Sequence, residues 1–253
     1  MDINFFMKNE KEKPLDNIVK DGGFCSIFRK IICIGDSLSS GEFEVLHENG
    51  ERSYHDKFEY SWGQFIARRI GAEVLNYSKG GMTAKEYCDT FAEKNNFWDE
   101  NQKANAYIIA LGVNDVNTDI EMGCIDDIDL NDYKNNKRTY IGYYAQIIQR
   151  YKKISPNAKF FFLTTPYLPD CKKDKYDEIA KSLDGLTKIF NGSYLIDLKK
   201  YGPDYTDKKF RDTFYLNNHM SPMGYKLTAD LIMSYIDYII RQNYEDFKMI
   251  AFE

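Results

Sequence analysis

The chain has 253 residues, 43% of them hydrophobic and 29% charged, the balance of an ordinary globular protein. Its net charge of −5 weighs against nucleic acid as a partner, because phosphate binding needs a concentrated basic surface. No apolar run approaches the roughly 20 residues that span a bilayer. Residues 1–10 carry an early acid and too short an apolar stretch for a signal peptide, so the expectation is a cytoplasmic protein without a membrane partner.

The first predicted element is a strand over residues 30–34, an apolar, mostly β-branched run that ends in Gly35-Asp36-Ser37. A serine at the carboxyl end of a buried strand faces the crevice in which open α/β sheets bind ligands, where a nucleophile would be placed. Residues 42–60 follow, with Asn49-Gly50 between two short alternating segments, which predicts a β-hairpin overhanging Ser37. His47 and His55 on that hairpin read as solvated loop residues.

A helix is expected at about 61–70, a strand at 73–77, and then the turn Asn76-Tyr77-Ser78-Lys79-Gly80-Gly81-Met82-Thr83 before a helix at 83–97. The next strand, 106–111, runs into Leu111-Gly112-Val113-Asn114-Asp115. Residues 116–136 form a long acidic connection. Its run 126–132 lacks the spacing and glycine of a calcium loop and reads as solvated. Further elements are a helix at 138–154, a strand at 159–164, a helix at 175–190 and a strand at 194–198.

The last helix, about 222–243, starts with Ser221-Pro222, a cap followed by proline at the first helical position. Leu227, Leu231, Ile232, Tyr235, Ile236 and Ile239 make its apolar stripe, and Asp230, Ser234, Asp237 and Arg241 fall on the other face. Alternation of nearly continuous apolar strands with helices predicts a parallel sheet buried on both faces. No repeat or linker divides the chain, so one domain over 1–253 is expected. The five scattered cysteines form no CxxC pair and read as reduced thiols, with Cys33 in the core.

Ser37, the Gly80-Gly81 turn, Asn114-Asp115 and Asn217-Asn218-His219-Met220-Ser221-Pro222 come in an order that resembles the SGNH/GDSL hydrolases over about residues 30–243. The resemblance implies a flavodoxin-like, three-layer α/β/α sandwich with about five parallel strands. It also implies a serine esterase acting on small carboxylic esters, acetylated carbohydrate among them, with no metal or cofactor. Ser37 would be the nucleophile and His219 the base. The oxyanion would be met by the N–H groups of Ser37 and Gly81 and the Asn114 amide.

One position departs from the family, whose histidine is preceded by an aspartate three residues earlier. Here that residue is Leu216. A Ser37–His219 dyad helped by a backbone carbonyl, or a carboxylate from elsewhere, are both open. Asp212 is nearest in sequence and Asp115 nearest among the other motif blocks. The departure also admits a non-catalytic carbohydrate- or acyl-binding protein that keeps the fold. The sequence leaves the oligomeric state undetermined.

Overall fold

The computed structural model describes residues 11–248 and 250, so the segment 1–10 read above for targeting lies outside the described residues. In chain order, β1 (Lys30–Gly35) is followed by the single turn α1 (Ser37–Ser40), the hairpin strands β2 (Glu42–Leu46) and β3 (Arg52–Asp56), and α2 (Trp62–Ile70). β4 (Glu73–Ser78) leads into α3 (Ala84–Glu86), a π-helical turn (Tyr87–Phe91) and α4 (Ala92–Lys94). Then come β5 (Ala106–Ala110), α5 (Tyr140–Ile154), β6 (Lys159–Leu163), α6 (Lys173–Ile189) and β7 (Ser193–Ile196). Short helices α7 (Leu198–Tyr201) and α8 (Lys208–Phe214) precede β8 (Tyr215–Leu216), β9 (His219–Met220) and the long α9 (Pro222–Gln242).

The main sheet has the order β4-β1-β5-β6-β7, and every neighbouring pair is parallel. Its strand faces separate by the two-residue period of a strand. Ile31, Cys33, Ile108 and Phe161 pack with Trp62, Ile66, Ile232 and Ile236 of α2 and α9. Ile32, Ile34, Ile109, Phe160 and Phe162 pack with Tyr144, Ile148 and Leu183 of α5 and α6. These two apolar layers make the three-layer α/β/α sandwich, and they account for strands that read as unbroken hydrophobic runs. Cys33 has no exposed surface, and burial pushes its thiol far above the ordinary range.

β1 has β4 on one side and β5 on the other, so the chain reverses its direction of winding around β1. Open α/β sheets bind ligands at that switch point, outside the carboxyl ends of the strands. Neighbouring strands lie roughly 5 Å apart, so the loops after β4, β1 and β5 leave the sheet within about 10 Å of one another.

Two expectations change. Leu198 does not extend β7 but opens α7, because the Asp197 carboxylate caps that turn by accepting the Lys200 N–H at 3.1 Å. The polar face of α9 is not turned to solvent: Ser234, Asp237 and Arg241 are all buried. Residues that precede β1 cover them. Val19 N–H donates to Ser234 Oγ at 3.0 Å, Phe24 N–H to Asp237 at 2.8 Å, and Arg241 pairs with Glu12 at 2.7 Å. Polar residues on this helix therefore serve the chain's own amino-terminal segment.

Candidate active site

The serine turn is set by close packing. A Cβ on Gly35 would press into Ser39 Oγ and lie 3.0 Å from the Ala110 carbonyl, so glycine lets β1 end tight against β5. Asp36 then caps α1, its Oδ1 accepting the Leu38 N–H at 3.0 Å. Burial pushes the Asp36 carboxyl up to about 7; the Leu38 N–H opposes the rise, while the nearby Asp115 and Glu42 carboxyls add to it. Ser37 is the first residue of α1, and Gly41 closes the turn in a left-handed conformation (φ 82°).

The second and third loops are joined to each other. Asn114 donates one amide hydrogen to the Met82 carbonyl at 3.2 Å, which leaves the other amide hydrogen for a ligand. Asp115 accepts the Ala84 N–H at 3.0 Å, and burial pushes this carboxyl also to about 7. Gly81 adopts φ 74°, and a Cβ there would meet open space. Ser37, Gly81 and Asn114 thus follow the carboxyl ends of three adjacent strands, β1, β4 and β5.

His219 arrives from the other side, on the small β8–β9 hairpin, whose turn puts Asn217 at φ 58°. β9 packs against β2 and α1. Both imidazole nitrogens face carboxylates of β2: Nδ1 lies 3.1 Å from Glu44 Oε2, and Nε2 lies 3.1 Å from Glu42 Oε1. The Tyr54 ring of β3 meets the imidazole edge-on, with centroids 5.6 Å apart. Burial lowers the His219 pKa, against the opposing pull of Glu42 and Asp56. Burial raises that of Glu42, with His219 opposing and Asp56 adding.

Glu44 is the better fixed of the two acids. Its side chain has no exposed surface, it pairs with Arg52, and Oε2 also accepts the Asn218 N–H at 3.0 Å. Among the described residues, the Glu42 carboxylate meets no donor other than His219, but it rests on Gly80, where a Cβ would collide with it. Tyr225 of α9 joins the two halves: its hydroxyl donates to the Glu42 carbonyl at 2.7 Å and lies 3.3 Å from that of Ser37.

Several expectations about the orienting group are thereby corrected. Asp212 pairs with Lys208 at 2.5 Å, and Asp115 serves the Gly81 loop; neither carboxylate bonds His219. The carboxylates that meet it, Glu44 by a hydrogen bond and Glu42 by an ion pair, were missed. Residues i and i+2 of a strand share a face, which puts both acids on one side of β2, but nothing local pointed that face at His219. His219 Nε2 lies 3.1 Å from Glu42 Oε1 as an ion pair, and among the described residues no hydrogen bond joins His219 to Ser37 Oγ. His47 and His55 are exposed, sharing Ser53 Oγ at 2.8 and 2.9 Å. Among the described residues no three His, Cys, Asp or Glu side chains are grouped to hold a metal ion, the acidic run 126–132 included.

Beside the serine turn lies a mainly apolar cavity of about 50 Å³, lined in part by Leu38, Ser39, Val113, Pro166, Tyr215 and Met220. The Ser39 hydroxyl is buried there without a partner.

A doubly wound sheet with these loops at its switch point defines the flavodoxin-like class of α/β proteins that carry their chemistry on strand-end loops. Within that class the chain belongs to the GDSL-like Lipase/Acylhydrolase family, whose sequence profile matches residues 31–232. No curated protein is similar enough to count as a match. Among solved structures, a protein from Lactobacillus plantarum shares the fold at TM-score 0.61 and 16% identity, over 83% of this chain and 97% of its own. A family two carbohydrate esterase from Clostridium thermocellum, solved with cellohexaose, gives TM-score 0.61 and 17% identity over 90% of this chain and 66% of its own. A carbohydrate esterase family 2 enzyme with a carbohydrate-binding domain, from Corynascus thermopiles, gives 0.55 and 17% over 83% and 66%. At these identities the likeness is one of fold. Among the described residues no helix is long and apolar enough to cross a membrane.

Proposed function

We propose that the protein hydrolyses small carboxylic esters through an acyl-enzyme on Ser37. The observation that carries this reading is the convergence of a helix-opening serine, a glycine loop and a half-free asparagine amide at one switch point, beside the imidazole of His219. Ser37 Oγ attacks the ester carbonyl and its proton passes to His219 Nε2. The oxyanion that forms is met by the Ser37 and Gly81 N–H groups and by Asn114 Nδ2. Collapse expels the alcohol, which takes the proton from His219, and water then releases the acid by the same route. For the first step Nε2 must turn from Glu42 to Ser37.

The small, mainly apolar cavity that Leu38 and Ser39 of the serine turn help to line supports a short acyl group. Acetylated carbohydrate is a fitting substrate class, supported by the carbohydrate esterases that share the fold. The test is hydrolysis of p-nitrophenyl acetate, butyrate and octanoate by the protein and by Ser37→Ala and His219→Ala, with fluorophosphonate labelling of Ser37. The acetate should be preferred, and both variants should lose the activity by on the order of 10⁴-fold or more. Activity that survives Ser37→Ala would remove the nucleophile. One observation favours a second reading, that of a carbohydrate- or acyl-binding protein: Nε2 is engaged by Glu42. A Ser37 inert to both ester and fluorophosphonate would establish it.

A further inference from the structure

The position three residues before His219 holds no acid, yet the structure brings one to the imidazole from 175 residues away in sequence. We infer that Glu44 is the positioning residue of the site, in place of the aspartate that the His219 segment lacks; the inference rests on the Ser37–His219 reading above. Glu44 meets Nδ1 at 3.1 Å, on the side away from the atom that must receive the serine proton. Nδ1–H donated to a fixed carboxylate leaves the Nε2 lone pair for the nucleophile and stabilises the imidazolium that forms.

Glu44 is built for a static role. Its carboxylate is fully buried, and Arg52 and the Asn218 N–H hold it in place. The Asn218 contact also fixes the backbone one residue before His219, so the same group sets both ring and main chain. Strand alternation turns Phe43 the opposite way, onto Tyr60 and Tyr225, with ring centroids 5.9 and 5.7 Å apart. The register of β2 is therefore anchored by packing, and Glu44 cannot slip off the His219 face without exposing Phe43. Glu42 shares that face but touches the wrong nitrogen and is partly exposed.

The ionisable groups that meet or act on His219 are Glu42 and Glu44 of β2 and Tyr54 and Asp56 of β3, with Arg52 paired to Glu44; His55, the other titratable residue of β3, bonds Ser53 instead. The test compares Glu44→Gln, Glu44→Asp and Glu42→Gln with the parent protein in kcat/KM against pH for p-nitrophenyl acetate. Glu44→Gln should lower the plateau by at least about 100-fold, chiefly in kcat, because an amide no longer holds the imidazolium; loss of the negative charge should also move the acidic limb to lower pH. Glu44→Asp should recover at least about tenfold of that loss. Glu42→Gln should move the limb the same way, through loss of its negative charge, with a plateau loss smaller than that of Glu44→Gln.

A Glu44→Gln plateau within threefold of the parent, in a protein whose Ser37→Ala variant is inactive, overturns the inference and leaves the esterase reading intact. A larger plateau loss in Glu42→Gln than in Glu44→Gln overturns it too, naming the wrong carboxylate. An active Ser37→Ala variant defeats the functional reading itself. Should Glu44→Gln fail to fold with Arg52 left unpaired, Glu44→Gln/Arg52→Gln removes both charges and is read by the same criteria.

Discussion

The two halves of the site are built differently. The sheet half, with Ser37, Gly81 and Asn114, stands on buried parallel strands and is fixed by backbone contacts: the Gly35 approach to Ala110, the Asp36 cap, and the amide of Asn114 on Met82. The hairpin half, with His219, Glu42 and Glu44, sits on two short antiparallel pairs outside the main sheet, and side-chain charge holds it in place. On the proposed mechanism the parts that stay fixed are carried by backbone contacts, and the part that exchanges partners by ion pairs. If that division is right, the halves should fail in different ways when cut.

The largest effect, beyond loss of the nucleophile or base, is expected in the sheet half at Asn114. Asn114→Ala removes a candidate oxyanion donor and should lower kcat by about 100–1,000-fold with little change in KM. It also removes the tether to Met82, so a thermal melt must accompany the kinetics. A kcat within threefold of the parent would take Asn114 out of the oxyanion site and leave it as a loop clamp.

A second cut in the same half is read as stability. Asp36 titrates near 7 in the folded protein because of burial, against an ordinary carboxyl value of 3.8 unfolded. Between about pH 4 and pH 7 the folded state therefore holds a proton that the unfolded state has released. Stability from this group is fully present below pH 4 and is lost as pH rises through 7. Asp36→Asn keeps an efficient cap without the charge. Urea unfolding at pH 5 and pH 8 should show the variant losing less stability over that interval than the parent, by up to about 2.5 kcal/mol. Equal losses would mean that Asp36 is solvated.

Legibility in the sequence follows the same division. Continuous apolar runs and periodic helices are local signals, and the strand ends they mark carry Ser37, Gly81 and Asn114, so the sheet half could be read residue by residue. Asn49-Gly50 announced the β2–β3 hairpin for the same reason. The Glu44–His219 pair joins two hairpins far apart in the chain and leaves no local periodicity, and Asp212 and Asp115 looked better placed only because they were nearer in sequence or motif. The buried polar face of α9 was hidden likewise, since the segment that covers Ser234, Asp237 and Arg241 is irregular.

The smallest expected effect falls on the joint between the halves. Tyr225 is fully buried, and its hydroxyl touches the Ser37 carbonyl of the sheet half and the Glu42 carbonyl of the hairpin half. Tyr225→Phe removes one hydrogen-bond donor while keeping the ring that packs on Phe43. The expected cost is about 1–2 kcal/mol of stability, from the lost bond and a buried carbonyl left without a donor. The informative quantity is how it combines with Glu42→Gln. If the hydroxyl sets where Glu42 stands, the two changes act on one arrangement, and their effects on kcat/KM should be non-additive by at least about 0.5 kcal/mol. Strict additivity would mean that the hairpin half finds its position from Glu44, Arg52 and the Phe43 packing alone, with Tyr225 no more than a buried support for α9.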